Sequence, residues 1–86
     1  MTRVVTPMSA SERRKQRIQA YPIPAVESAI QATIYGAENQ RIVRDIFIGD
    51  ATYAEAAERA NMTDSGLYKR MRRVMPPLEK YLRKLN

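Results

Sequence analysis

The sequence predicts an all-α fold: a small helical bundle of four to five helices containing a helix-turn-helix. Three observations predict it. Apolar residues recur at steps of three and four, no segment sustains the alternation of apolar and polar residues typical of a half-buried strand, and Ser, Thr, Gly and Pro fall where helices begin and end. At 86 residues the chain suffices for one small domain with a modest core, so a functional site is expected on a surface rather than in a deep pocket.

The elements follow in order. Residues 1 to 8 read as a frayed end, and Ser9 with Glu12 has the spacing of a capping box. Ser11 to Ala20 (SERRKQRIQA) offers only Ile18 and alanines for burial, so residues 1–20 read as a basic N-terminal arm or marginal helix ahead of a unit spanning 21–86. Tyr21-Pro22-Ile23-Pro24 interrupts any helix, while Pro24 suits the first turn of the next one. Val26, Ala29, Ile30, Thr33 and Ile34 then form one helical face, which Gly36 is placed to end. From Ala37 to Ile48 the inward residues are Ile42, Val43, Ile46 and Phe47, with Gln40, Arg41, Arg44 and Asp45 outward, and Gly49-Asp50 breaks the chain.

Thr52 with Glu55 is a second capping box, opening a short helix from Tyr53 to Ala60. Its Ala54, Ala56, Ala57 and Ala60 are small enough to let another helix approach closely. Asn61 tolerates the left-handed backbone a tight turn needs, and Thr63 is a natural cap for the helix that follows. At about 100° per residue, Leu67, Met71, Val74 and Leu78 face the core. Ser65, Lys69, Arg72 and Arg73 take the opposite side, with Tyr68 and Arg70 at its margins. Pro76-Pro77 should end this helix, leaving Leu78, Tyr81, Leu82 and Leu85 on a last helix that either covers the core or pairs with a second copy. Met62, Met71 and Met75 are expected to fill gaps near the basic helix, and Tyr21, Tyr35 and Tyr81 to pack with a wet hydroxyl.

Charge narrows the function. The net charge of +6 is uneven: residues 1–20 carry five basic groups against Glu12, residues 21–61 carry three against six acidic ones, and residues 62–86 carry seven against Asp64 and Glu79. Such basic surfaces attract polyanions through counterion release. The absence of Cys and His excludes disulfides, thiol nucleophiles, the usual zinc sites and the usual general base. The acidic residues follow caps and helical spacing without forming an identifiable carboxylate pair, and no phosphate loop or nucleophile motif occurs, so no enzyme, metal site or cofactor is expected. No run is apolar enough to span or target a membrane, which suggests a soluble, cytoplasmic protein.

Tyr53 to Arg72 carries the helix-turn-helix pattern, with Ala57 at its fifth position, Asn61 at its ninth, and Met62 and Leu67 at its tenth and fifteenth. The segment DATYAEAAERANMTDSGLYKRMRRV resembles the TrfB/KorA-like plasmid transcriptional repressors and, more distantly, the C-terminal helix-turn-helix of sigma factors, over about Gln40 to Val74. Asn61 stands where a turn glycine is usual, and Arg70 where an aliphatic residue is usual, so Met71 is expected to take the buried place. The resemblance implies base or phosphate contacts by Thr63, Ser65, Gly66, Lys69 and Arg72. Residue chemistry singles out Lys69 and Arg72 for base edges, Ser65 and Tyr68 in support, and Arg70 and Arg73 as phosphate anchors. Arg13, Arg14, Lys15 and Arg17 are candidates for a backbone-contacting arm.

The expected partner is double-stranded DNA, bound by a homodimeric repressor from a plasmid or phage setting, with no small-molecule effector evident. The competing expectations are a protein-interaction module acting on RNA polymerase or another regulator, and a non-specific nucleic-acid binder.

Overall fold

A computed structural model describes residues 10–85, and within them the fold is all-α. Five helices succeed one another: α1 (Ala10–Gln19), α2 (Ile23–Thr33), α3 (Ala37–Phe47), α4 (Tyr53–Arg59) and α5 (Asp64–Lys84). Ser9 lies outside the described residues, and with it the first capping box. Among the described residues no helix is long and apolar enough to cross a membrane.

The core is built from the stripes that helical periodicity picks out. Val26, Ala29 and Ile30 of α2, Ile34 just beyond it, and Ile42, Val43, Ile46 and Phe47 of α3 are buried together. Ala56 and Ala57 bury on α4, letting that helix lie close to α5, whereas Ala54 is exposed. Ile18 is buried in the same core, so the segment read as a basic arm or marginal helix is a packed helix with a single apolar anchor. α5 is the longest element and packs on both α2 and α4.

The connections follow residue chemistry with two corrections. Helix α2 ends at Thr33, and Gly36 serves as the N-cap of α3, where its φ of 91° is a backbone state that side chains disfavour. After α3 the positive φ falls on Asp50 (61°) rather than Gly49, and the Ala51 N–H closes back onto the Asp45 carbonyl at 2.8 Å. At the end of α4 Asn61 takes φ 57°. There the Met62 N–H donates to the Ala57 carbonyl and the Asn61 N–H to that of Glu58, a Schellman arrangement that satisfies the last carbonyls of α4.

The largest departure from sequence reasoning is in α5. Pro76 and Pro77 do not end it; the helix continues through both to Lys84. The prolines withhold N–H groups from the carbonyls of Arg72 and Arg73. Both of these residues, and both prolines, lie on the exposed side, where water can solvate the orphaned carbonyls. The opposite face carries the helix across the gap: Met75, Leu78 and Leu82 are buried, each contributing about 1.5–3 kcal/mol of apolar burial against about 3 kcal/mol for each of the two prolines. Met75 takes the buried position assigned to Val74, which is only half-buried. Leu78 and Leu82 therefore cover the core of their own chain, while Tyr81 is half-buried and Leu85 exposed. Met71 is buried in the place Arg70 would otherwise hold.

Candidate nucleic-acid interface

The first turns of α5 are set by two caps in series. Thr52 Oγ1 accepts from the Glu55 N–H at 3.0 Å, and the Glu55 carboxylate accepts from the Thr52 N–H at 2.9 Å, so α4 starts at a fixed point. These contacts hold the Glu55 carboxyl below its ordinary value, the Thr52 backbone N–H being the main cause. Four residues separate α4 from α5, and Thr63 Oγ1 then accepts from the Gly66 N–H at 3.1 Å. A Cβ on residue 66 would approach that same oxygen at 3.0 Å, so Gly66 keeps the cap uncrowded. Thr63 and Gly66, both named as contact residues by resemblance, together hold the helix terminus.

Tyr53 and Tyr68 lock α4 to α5. Their rings stack with centroids 4.9 Å apart and planes inclined by 27°. Tyr53 is buried and its hydroxyl hydrogen-bonds to nothing among the described residues. Burial pushes its pKa up, with the Arg14 guanidinium acting in the opposite direction. Tyr68 is 43 % exposed, so it forms an edge of the brace rather than part of the core.

Fixed in this way, α5 shows a sharp partition of its cations. Lys69, Arg72 and Arg73 are exposed, as is Ser65, and none of the three cations forms an ion pair among the described residues. The same holds for Lys80 and Lys84 farther along α5 and for Arg41 on α3. On a wheel of about 100° per residue Lys69, Arg73, Lys80 and Lys84 fall in one stripe opposite the buried face, with Arg72 beside it. From Lys69 to Lys84 that stripe is about 23 Å long, on a helix of about 30 Å. Sequence reasoning missed Lys80 and Lys84 because it ended the helix at the prolines; the unbroken run of Met71, Met75, Leu78 and Leu82 is the signal that connects the two halves.

Other cations are held within the chain. Arg70, expected to anchor phosphate, donates instead to Glu38 and Asn39 at the start of α3, which it reaches because it sits at the margin of the core face. In α1, Arg14 Nε donates to Glu79 at 2.7 Å, Arg17 lies 3.5 Å from the same carboxylate, and Lys15 donates to the Ala51 carbonyl and to Asp50, both at 3.0 Å. The Gln19 amide and Lys15 hold the Asp50 carboxyl below its ordinary value. The segment 13–17 is therefore folded against α5 and the α3–α4 connection, not extended as a free arm. Arg13 also makes contacts of its own.

Tyr21 and Tyr81 pack against the core as half-buried residues. Tyr35 does not: it is 85 % exposed on the α2–α3 connection, beside Asn39, whose amide donates to the Tyr35 carbonyl at 3.2 Å. Comparisons of the chain with protein-family models, curated proteins and solved structures found no match.

Proposed function

We propose that this protein is a sequence-specific DNA-binding transcriptional regulator that acts in the cytoplasm as a repressor, occupying its operator with α5 in the major groove. The observation that carries the reading is the set of exposed cations Lys69, Arg72 and Arg73, without ion-pair partners among the described residues, on a helix whose opposite face is buried and whose start is fixed by a cap and a ring stack. Like charges so close together repel, and phosphate relieves the repulsion. Arg and Lys can also donate to guanine O6 and N7, while Ser65 and Tyr68 flank them for shorter or apolar contacts.

In this reading Lys69 and Arg72 face base edges and Arg73 a phosphate. Arg70 holds the helix against α3 instead of touching DNA. The major groove is about 12 Å wide, so a 30 Å helix runs beyond one crossing and carries Lys80 and Lys84 to flanking phosphates. Two copies would place their α5 helices on half-sites about 34 Å apart, consistent with a plasmid or phage repressor of the kind the sequence resembles.

The length of the cationic stripe also favours a second reading, a general polyanion binder that tracks the backbone without reading sequence. Selecting bound fragments from random duplex DNA separates the two. A palindromic consensus supports the specific dimer; an unchanged pool, with random duplex competing as well as any fragment, refutes it.

A further inference from the structure

A recess of about 320 Å³ opens between the start of α1, α4 and the first half of α5. Its walls combine two chemistries. Tyr53, Tyr68 and Met71 supply apolar surface, while Arg14 and Arg72 supply positive charge. No carboxylate is among its lining residues. The Tyr53 hydroxyl lies behind this wall, closed to solvent, on a residue more than nine-tenths buried. Arg14 has its Nε committed to Glu79, which fixes the guanidinium at the wall. Arg72 has no ion-pair partner among the described residues.

We propose that this recess binds a phosphomonoester of a compact aromatic or aliphatic group. The phosphate oxygens accept from Arg72 and Arg14, and the apolar body lies on the tyrosine rings and Met71. Arginine suits phosphate because its planar fork matches two oxygens at once. The body is required because a bare phosphate fills only a fraction of a recess that already reaches the size range of small-molecule sites, about 300 Å³ and upward. Binding at the recess does not depend on the DNA-binding reading. Its consequence does: Arg72 belongs to both surfaces, so an occupied recess and a bound duplex compete for one guanidinium, and each weakens the other by the same factor.

Titration of the full chain with phenyl phosphate, followed by calorimetry and by NMR of the tyrosine rings, tests the site. The expected result is saturable one-to-one binding that perturbs Tyr53 and Tyr68 and is much weaker for inorganic phosphate or phenol alone. Arg72→Gln, at an exposed position, should weaken binding about tenfold, the equivalent of about 1.4 kcal/mol. Lys69→Gln, outside the recess, should leave it unchanged. The proposal is overturned if no saturation occurs, if inorganic phosphate binds as tightly as phenyl phosphate, or if Lys69→Gln weakens binding as much as Arg72→Gln, which would mean diffuse attraction to a cationic surface.

Discussion

Arg14 of α1 donates to Glu79 of α5 at 2.7 Å, across 65 positions of sequence. Glu79 lies just past the two prolines, with its side chain only 15 % exposed, and Arg17 and Arg83 approach the same carboxylate. One acidic group thus fastens the basic first helix to the far half of the last. Glu79→Gln removes that charge and is expected to cost on the order of 1 kcal/mol, the upper range for a partly exposed pair. Amide hydrogen exchange should show α1 opening more readily while α2 and α3 keep their protection. Unchanged exchange in α1 would mean that Ile18 and the contacts of Lys15 and Gln19 suffice to hold the helix.

Leu82 lies beyond the prolines yet is buried in the same core as Ile30 and Ile42. Leu82→Ala should therefore destabilise the monomeric fold by about 2–5 kcal/mol, the range for a large-to-small change in a packed core. Chemical denaturation at several protein concentrations checks it. A small loss that vanishes on dilution would instead mark Leu82 as part of a surface between copies.

Arg70 and Arg72 are two residues apart and should behave in opposite ways. Arg70→Ala breaks the contact with Glu38 and Asn39, lowering stability by about 0.5–1 kcal/mol while leaving base preference intact. Arg72→Ala should leave the melting temperature nearly unchanged and cost about 1–3 kcal/mol of binding at one base pair. Arg73→Ala should weaken all duplexes alike and reduce the salt slope by about one unit. Thermal melts paired with binding isotherms at two salt concentrations resolve the three.

Tyr53 gives the protein an alkaline limb. Burial raises its pKa above the ordinary 10.0, so the folded state favours the neutral phenol. That contribution is complete below pH 10 and is lost as pH rises through the folded value. Wild type should lose stability above pH 10 more steeply than Tyr53→Phe, with matching limbs in the two proteins as the contrary result. Asp50 and Glu55 act with the opposite sign: their carboxyls sit below 3.8 and 4.5, so their contribution is present above those values and lost as pH falls.

Much of this architecture is legible in residue order because short-range rules govern it. The Thr52–Glu55 box, the Thr63 cap, the left-handed Asn61 and the buried faces of α2 and α3 all depend on neighbours within one or two turns. The prolines were misleading because their local cost is set against burial of Met75, Leu78 and Leu82, whose partners on other helices no local rule supplies. The roles of Arg14, Lys15 and Arg70 were hidden for a related reason: Glu79, Asp50 and Glu38 lie 65, 35 and 32 positions away. Lys69, Arg72 and Arg73 were legible because the wheel alone turns them from the core.

Fluorescence anisotropy of a duplex selected by the wild-type protein, set against a scrambled duplex of equal length and salt, tests the central claim most directly. Wild type should bind the selected site at least a hundredfold more tightly, and the Lys69→Ala, Arg72→Ala double variant should lose most of that ratio while keeping its melting temperature. Equal affinity for both duplexes, or a double variant that keeps the full preference, would contradict α5 as the element that reads DNA.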